Sequence, residues 1–517
     1  MKRILLAAVA AVLAAACSLQ EDPGYFVDRE GFYENYSQCR AAINGLYVGL
    51  KNCYTFRMLT LTDAHSDLLF EPAPTVAEAR LDLTPTLPGE AGTFWKQGYL
   101  MVMYANAAIA GIGRAPVTEA QRAALMSEAV TLRAFWYWFL TSFFGDVPFY
   151  TEDVTDSRVM ERIAHLPRMS AVETRRYLID ELNTWFSYDE NQEYTGALPA
   201  VRTSENEGNR AGWALAEMLV MKMAMWNAYT DPDGDTDWDQ VALTAFHRLY
   251  GVYGDLTESD YPLDDILFRC KNTPESIFEV QHTYSTDGIS YVSNLACVCM
   301  PWKTVDAATH TAWYDGIAID ELGYDAIVWT PVRPNLYFSA GLQPRGAGDR
   351  RAEINMAWSY GGVEFSNVNI RPWMGPKFWC PGMFNSYDSN NYKIFRYADA
   401  VLLAAEACCR KGERTEAVRY LDQVRNRAGL GGYTFKGDAK LFSEIQDERA
   451  RELVGEFTRK FDLVRWGIWY ERVTAFNDYA ELQDGVKPCH EYLPIPDKQV
   501  KYSGYALDNK AYNSYGL

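Results

Sequence analysis

The chain has 517 residues, which is long enough to bury a hydrophobic core without covalent cross-links. Its 68 acidic residues outnumber its 49 basic residues and give a formal net charge of −19. Because phosphate binding depends on clustered Lys and Arg, this composition argues against nucleic acid as a partner and favours neutral ligands over polyanions.

The amino terminus predicts export and lipid attachment. Lys2 and Arg3 precede an apolar run at 4–16. That run is shorter than the roughly 20 residues that span a bilayer, but it suits a secretory signal peptide. The sequence Leu-Ala-Ala-Ala-Cys at 13–17 resembles the processing site of bacterial lipoproteins, with the leucine one place further from the cysteine than usual. We therefore expect cleavage of 1–16 and lipidation of Cys17; an ordinary cleaved signal peptide is the alternative.

Helical periodicity dominates the chain that follows. Apolar residues recur at the spacing of an amphipathic helix at 99–113, 119–144, 171–185, 210–229 and 238–250. Consecutive helices joined by short turns form hairpins of the tetratricopeptide type. These units differ from one another, so the pattern predicts several irregular hairpins and not a regular repeat array.

An acidic turn separates the last two of these helices. Asp231, Asp233 and Asp235 alternate with other residues as in a calcium loop, but an EF-hand needs Gly at its sixth position and Glu at its twelfth. Those positions hold Thr236 and Ala242. The three aspartates are candidate calcium ligands beside the commoner interpretation, a solvated turn. The histidines and cysteines lack metal-ligand spacing, so we expect no other metal and no cofactor, and most cysteines should be small buried apolar residues.

The residue pattern of the sequence changes between 284 and 392. Helical periodicity fades, Gly and Pro become more frequent, and tryptophans concentrate. Such a long irregular span is normally functional. We interpret the span as an elaboration inserted into the helical scaffold before the last hairpin, and its Trp and Tyr side chains offer flat contact surfaces with a polar tip. The candidate ligand-binding residues are Trp302, Trp313, Tyr314, Trp329, Trp358 and Tyr360, each with a place in the core as its alternative.

The carboxyl-terminal part predicts one more hairpin. Apolar residues from Ile394 to Cys409 recur at helical spacing, and Gly412 follows the last turn. A second helical pattern covers 417–428 and ends before Gly429. Two helices within about 34 residues are typical of a tetratricopeptide-like hairpin.

Charged residues within the helices predict ion pairs between helices. Arg133 adjoins the apolar run 134–144, so it should need a buried partner, either Glu128 or an acid of another helix. The same structural interpretation applies to Asp399, Glu406, Arg425, Glu448 and Arg465. Asp146, before Val-Pro, is predicted to serve as a turn and cap residue.

Several motifs occur in a set order along the chain. They are Arg133-Ala134, Phe144-Gly145-Asp146-Val147-Pro148, Pro274-Glu275-Ser276-Ile277-Phe278-Glu279-Val280, Asp349-Arg350-Arg351, Phe395-Arg396-Tyr397-Ala398-Asp399, Glu448-Arg449-Ala450-Arg451-Glu452, Asp462-Leu463-Val464-Arg465-Trp466 and Tyr492-Leu493-Pro494-Ile495-Pro496. Together they resemble the SusD/RagB family of Bacteroidetes outer-membrane nutrient-binding lipoproteins. One departure is the tail at 507–512, where the family usually has an Asn-Pro-x-Tyr variant.

The resemblance implies a mostly α fold, a tetratricopeptide-like helical-hairpin scaffold with an irregular, loop-rich inserted ligand-binding subdomain. We expect one continuous folded unit. Its parts would be an N-terminal helical scaffold at 17–283, the irregular subdomain at 284–392 and a C-terminal helical part at 393–517. Binding sites in the family also draw on the region that corresponds to 63–95.

The resemblance also implies a function. Such a protein is lipid-anchored in the cell outer membrane, faces the surface, and binds oligosaccharides as the lid of a SusC-like TonB-dependent transporter that imports them. A peptide ligand is the alternative within the family. A glycoside hydrolase would need two carboxylates at a set distance, and a helical scaffold that binds only proteins is a third class. The sequence contains no Gly-x-Ser-x-Gly, His-Glu-x-x-His, phosphate-loop or Gly-x-Gly-x-x-Gly motif, so we do not expect an enzyme.

Overall fold

The structure, a computed structural model, describes residues 32–191, 194–199, 210–283, 291–299, 332–360, 363–364, 372–381 and 387–517. Its helices up to 360 are α1 (Tyr36–Gly45), α2 (Val48–Cys53), α3 (Phe56–Leu61), α4 (Ala77–Arg80), α5 (Glu90–Arg114), α6 (Glu119–Phe144), α7 (Ser157–Ala164), α8 (Ala171–Trp185), α9 (Trp213–Thr230), α10 (Trp238–Tyr253), α11 (Ala296–Cys299) and α12 (Ala352–Asn355). The later helices are α13 (Tyr397–Lys411), α14 (Arg414–Arg427), α15 (Asp438–Leu453), α16 (Arg459–Arg465), α17 (Trp469–Phe476), α18 (Ala480–Gly485), α19 (Asp497–Tyr502) and α20 (Lys510–Asn513).

Short strands form four antiparallel pairs in the described part of the chain. The strands are β1 (Leu69–Phe70), β2 (Ser276–Val280), β3 (Arg333–Pro334), β4 (Met356–Ala357), β5 (Ser359–Tyr360), β6 (Val363–Glu364), β7 (Trp373–Met374) and β8 (Tyr392–Arg396). They pair as β1 with β3, β2 with β8, β4 with β7 and β5 with β6.

Helical hairpins build the scaffold. Helix α5 packs on α6, α9 on α10 and α13 on α14, while α8 bridges α6 and α9, and α10 contacts α13. The predicted mostly helical, tetratricopeptide-like scaffold is therefore confirmed. Both helices of the predicted carboxyl-terminal hairpin are present, and α13 ends at Gly412, whose φ of 79° is the left-handed conformation that glycine adopts easily.

Helix α6 is the centre of the core. A capping box starts it, in which Gln121 N donates to Thr118 Oγ1 at 3.2 Å and Thr118 N donates to Gln121 Oε1 at 3.1 Å. Every residue from Leu125 to Phe144 is buried. A helix that is buried on all sides must be surrounded by other elements, so the hairpins pack around α6.

The predicted helical start at Ile394 is wrong. Ile394 lies in β8, which pairs with β2, and α13 begins only at Tyr397. Because β-branched and aromatic residues suit both a strand and a buried helix, the pattern at 394–395 was compatible with either structure. Residues 394–395 form a strand because they pair with β2, which lies more than a hundred residues earlier in the chain. This pairing also brings the two ends of the span 284–392 next to each other.

The predicted interhelical ion pairs are confirmed. Arg133 pairs with Glu181 of α8 and donates to Asn106 Oδ1 at 2.7 Å, so its partner is an acid of another helix and not Glu128. Arg465 of α16 donates to Glu406 Oε2 of α13 at 2.6 Å. The remaining predicted members make the ion pairs Asp399–Arg449, Arg425–Glu444 and Glu448–Arg351. Asp146 acts as the predicted cap, because its Oδ1 accepts from Ala171 N at the start of α8 at 2.8 Å.

A buried ionic network ties β8, α14 and α15 together. The carboxylate of Glu452 lies 3.0 Å from Arg396, 2.6 Å from Arg427 and 2.8 Å from Arg351. All four side chains are fully buried. Burial alone would raise the pKa of Glu452, but the three arginines outweigh it and hold the pKa well below its ordinary value. Arg351, Arg396 and Glu452 belong to the motifs that carried the resemblance, so these motifs stabilise the fold.

Two further predictions concern cysteines and the membrane. Every described cysteine except Cys270 is buried and none forms a disulfide, as expected of small apolar residues. Over the described ranges, no helix has both the length and the apolar character needed to cross a bilayer. The signal peptide and Cys17 lie outside the described residues.

Candidate functional site

A cleft of about 620 Å³ opens where the irregular span leaves the helical scaffold. The α1–α2 segment forms one wall, β2 and the chain around Tyr291 form the other, and Arg210 lies between them. The lining residues are Asn44, Tyr47, Val48, Leu50, Lys51, Asn52, Arg210, Glu279, Val280, Gln281 and Tyr291. The cleft thus combines three segments that are distant in sequence.

Helix α2 presents one face to the cleft. Val48, Lys51 and Asn52 are exposed and follow the i, i+3, i+4 spacing of a single helical face, while Leu50 and Cys53 are buried behind them. Gly49 permits this close packing, because a Cβ there would meet Trp136 of α6 at 2.7 Å. The exposed face is therefore fixed by the contact of α2 with α6.

Tyr291 supplies an exposed aromatic ring to the opposite wall. Its side chain is 69% exposed. Thr283 N donates to the Tyr291 carbonyl at 2.7 Å, and Ser293 pairs with Asp388, so backbone bonds on both sides hold this segment. The ammonium of Lys51 lies 5.3 Å from the centroid of the ring. An exposed, positioned ring is the kind of surface on which a flat apolar ligand face can stack.

Tyr47 forms a rigid part of the α1–α2 wall. Its hydroxyl donates to Glu128 Oε1 at 2.5 Å and accepts from Ala211 N at 2.8 Å. Glu128 also binds Arg40 at 2.7 Å and Arg210 at 2.6 Å. Burial, reinforced by the charge of Glu128, raises the pKa of Tyr47 well above its ordinary value, so the phenol stays protonated.

Glu279 is the single carboxylate among the described lining residues, and its partners engage both oxygens. Lys393 Nζ lies 3.1 Å from Oε1, and Oε2 accepts from Asn391 Nδ2 at 2.8 Å and from Asn272 N at 3.0 Å. Burial alone would raise the pKa of Glu279, but Lys393 and these hydrogen bonds outweigh burial and lower it. Glu279 is therefore an ionised structural carboxylate.

Three amide side chains give the cleft hydrogen-bonding groups of fixed orientation. Asn44 Oδ1 accepts from Arg210 Nη1 at 2.8 Å. Asn52 Nδ2 donates to Gln97 Oε1 at 3.3 Å. The amide of Gln281 exchanges two hydrogen bonds of 2.9 Å with Asn272. An amide has more donors and acceptors than these bonds use, so each can also bind a ligand hydroxyl.

The structure tests few of the aromatic residues chosen from the sequence. Trp302, Trp313, Tyr314 and Trp329 lie outside the described residues, and so does the side chain of Tyr360, whose backbone is in β5. Trp358 is half-buried, and its indole Nε1 has no hydrogen-bond partner within the described structure. None of the six is among the described residues that line the cleft. Their roles stay predictions.

Sequence reasoning missed Tyr291 and Lys51. Tyr291 falls inside the predicted irregular span, so its position in a loop-rich, aromatic segment was an available signal. Nothing in the sequence distinguished Lys51, because lysines are ordinarily exposed on the surface. The two meet only through the fold.

The first residues of the region 63–95 are buried in the core of the protein. Asp67 is buried, and its Oδ1 and Oδ2 accept from Arg459 Nε and Arg472 Nη2 at 2.8 and 2.6 Å. Asn477, at the end of α17, donates to the carbonyls of Ser66 and Leu69 at 2.9 and 3.1 Å. The start of this region therefore packs on the carboxyl-terminal helices.

The acidic turn at 231–235 shows one aspartate that is already engaged. Asp231 Oδ2 accepts from Arg176 Nη2 at 3.2 Å and from Trp238 Nε1 at 3.0 Å. Asp233 and Asp235 are exposed. Across the described ranges, no three His, Cys, Asp or Glu side chains group as metal ligands would.

Fold and motifs together define a tetratricopeptide-like helical-hairpin protein with an open surface cleft. The family model of the SusD family matches residues 382–513, and a SusD-like model described as starch-binding associating with outer membrane matches 74–181. These matches confirm the resemblance to the SusD family that the motifs predicted.

Similar proteins extend over most of the chain. SusD-like protein P25 of Formosa agariphila is 27% identical over 96% of this chain and 95% of its own length. Starch-binding protein SusD of Bacteroides thetaiotaomicron is 23% identical over 77% of this chain and 74% of its own. Surface glycan-binding protein A of Bacteroides thetaiotaomicron, in complex with laminarihexaose, matches with a TM-score of 0.67 at 20% identity, covering 91% of this chain and 98% of that chain. The structural match establishes a shared fold.

Proposed function

We propose that this protein binds glycans in the cleft without transforming them, as a surface-exposed lipoprotein of the outer membrane. It would hold cargo for a SusC-like TonB-dependent transporter and act as its lid. The observation that carries the proposal is the exposed, backbone-anchored ring of Tyr291 facing fixed amide groups in an open cleft. The glycan-binding names of the similar proteins support the same reading.

The chemistry of the cleft suits a sugar. A pyranose stacks its apolar face on an aromatic ring and offers hydroxyls to flanking polar groups. Stacking contributes roughly 1–3 kcal/mol per ring, on the scale known for bases, and each hydrogen bond about 0.5–1.5 kcal/mol. One ring and three amides would together contribute about −2.5 to −7.5 kcal/mol, a range that includes the roughly −5.5 kcal/mol of a 100 µM Kd.

The carboxylates argue for binding without hydrolysis. A glycosidase needs two carboxyl groups roughly 5–9.5 Å apart, one of which donates a proton. Within the described lining, Glu279 has no acidic partner, and Lys393 keeps it ionised. A glycan that is incubated with the protein for a long time should therefore be recovered chemically unchanged, as measured by chromatography of the oligosaccharides. New reducing ends would contradict the proposal.

The experiment that tests the proposal is titration calorimetry of the lipid-free protein with laminarihexaose and a panel of plant, host and microbial oligosaccharides. Tyr291→Ala should weaken binding of a retained glycan about tenfold or more, because the stacking surface is lost. Tyr505→Ala is the matched control, since that side chain is 72% exposed and lines no part of the cleft.

Two results would count against the proposal. Equal affinity of both tyrosine variants for the retained glycan would move the binding site away from the cleft. Failure of the whole panel, with binding of peptides instead, would favour the peptide-binding alternative in the same family.

A further inference from the structure

We infer that the glycan taken up by this cleft is anionic, bearing carboxylate or sulfate groups, and that Lys51 is the cation that meets them. The inference rests on the proposed function, because it assigns the substrate class of the same cleft. Net charge alone argues the other way, since the chain carries −19. The decisive quantity is the charge that lies within a few ångströms of the ligand.

Lys51 is a cleft cation without an acidic partner. Its side chain is exposed on the face of α2 that lines the cleft. In the described part of the chain it joins no ion pair, and its contact is the Tyr291 ring, 5.3 Å from the ammonium.

The acidic groups beside Lys51 are neutralised by other cations. Glu279 binds Lys393 at 3.1 Å, and both side chains are fully buried. Glu128, behind Tyr47, binds Arg40 and Arg210 at 2.7 and 2.6 Å, so two cations meet one carboxylate. Among the described residues, the cleft and the wall behind it therefore hold a surplus of positive charge, to which Lys51 adds.

His282 lies in the chain that forms the wall of the cleft. It follows Gln281 and is buried. Burial lowers the pKa of His282 to about 4, and the charges of Lys271 and Lys51 act in the same direction.

The distance from the ligand determines whether nearby charges or the net charge of the protein act on it. At physiological ionic strength the Debye length is about 8 Å, so acidic residues elsewhere on the surface are largely screened from a bound ligand. Lys51 is not screened from the ligand in this way, because a sugar stacked on Tyr291 would carry its substituents to the edge of the ring beside the ammonium. A carboxylate or sulfate there would exchange a cation–π contact for an ion pair, whereas a hydroxyl would not.

The test uses charged and uncharged forms of the same backbones. Galacturonan oligosaccharides are compared with their methyl esters, and carrageenan oligosaccharides with their desulfated forms, by calorimetry in 150 mM salt alongside laminarihexaose. We expect the charged form of at least one pair to bind about tenfold more tightly than its uncharged form. The two pairs distinguish a carboxylate from a sulfate ligand.

Two variants assign the preference to Lys51. Lys51→Met keeps the length of the side chain but removes its charge, and it should reduce the charged-form preference to within about threefold. Lys51→Arg keeps the charge and should retain the preference. Because the side chain is exposed, neither change should lower stability.

Each outcome is decisive. Binding of neutral glycans that is lost in Tyr291→Ala, with no preference for charge, overturns the inference and leaves the proposed function standing. A charge preference that survives in Lys51→Met overturns the assignment to Lys51. Failure of every glycan, charged or not, sinks the proposed function and this inference with it.

Discussion

Asp63 is a buried carboxyl with one hydrogen-bond donor on one oxygen and none on the other. Gly455 N donates to its Oδ1 at 2.8 Å, while Oδ2 has no partner among the described residues. Burial raises the pKa of Asp63 to about 7. The folded protein therefore prefers the protonated form of this side chain below neutral pH.

This arrangement predicts that Asp63→Asn stabilises the protein at alkaline pH. The unfolded pKa is near 3.9, so between pH 4 and 7 the folded state holds an extra proton and stability falls as pH rises. Asn keeps the acceptor for Gly455 without a charge to bury. We expect Asp63→Asn to raise the free energy of unfolding more at pH 8 than at pH 5, by on the order of 2 kcal/mol. Urea unfolding at both pH values measures this difference.

Asp67→Asn is the matched control for Asp63→Asn. Asp67 is equally buried but binds Arg459 and Arg472, which hold its pKa below the ordinary value although burial alone would raise it. Its replacement should lower stability at both pH values, because two cations lose their partner. If Asp63→Asn also destabilised the protein at pH 8, the account of Asp63 would be wrong.

Helices were predictable from sequence because their signal is local. The burial of the second half of α6 follows from the apolar run 134–144, and the ends of α13 and α14 follow from Gly412 and Gly429. Strand β8 was not predictable, because its partner β2 lies far away in sequence. Periodicity reports which residues are apolar, and only the fold decides which distant segment covers them.

The same limit applies to the cleft. Its walls come from α1–α2, from β2 and from the chain around Tyr291, which no sequence spacing connects. The general location, an aromatic-rich span joined to a helical scaffold, could be predicted from composition. The pairing of Tyr291 with Lys51 could not, since it depends on how closely Gly49 lets α2 approach α6.

The ionic network between β8, α14 and α15 predicts a specific acid sensitivity. Arg427, Arg396 and Arg351 lower the pKa of Glu452 against the effect of burial. A depressed folded pKa contributes stability that is present above the unfolded value, near 4.3, and is lost as pH falls below it. Glu452→Gln should therefore cost about 3–5 kcal/mol at pH 7, because three arginines stay buried.

The pH profile separates this effect from a general loss of packing. Unfolding free energy measured from pH 6 to pH 2 should fall less steeply in Glu452→Gln than in the parent, because the titrating group is gone. Glu416→Gln, which removes an exposed partner of Arg419, should change stability by less than about 1 kcal/mol. Parallel profiles for parent and Glu452→Gln would show that Glu452 does not carry the linkage.

At the scale of the whole molecule, the proposed attachment to the outer membrane assigns the anchor to lipid on Cys17. The described chain contains no helix suited to cross a bilayer. Cleavage of the predicted signal peptide would remove Lys2 and Arg3 and change the net charge from −19 to −21, which gives no attraction to anionic lipid. A lipidated Cys17 would supply the anchor, because each buried methylene contributes about 0.8 kcal/mol and two or more chains hold a protein stably.

Cys17→Ser should therefore move the protein from the outer-membrane fraction to the soluble fraction, as followed by immunoblotting after cell fractionation. Cys270→Ser is the control, since that half-buried side chain belongs to the folded body and its loss should leave attachment unchanged. Both variants should bind the same glycan in solution, because neither position lines the cleft. Persistence of Cys17→Ser in salt-washed membranes would mean that the body itself grips a membrane component, and a docked transporter would then be the first partner to isolate.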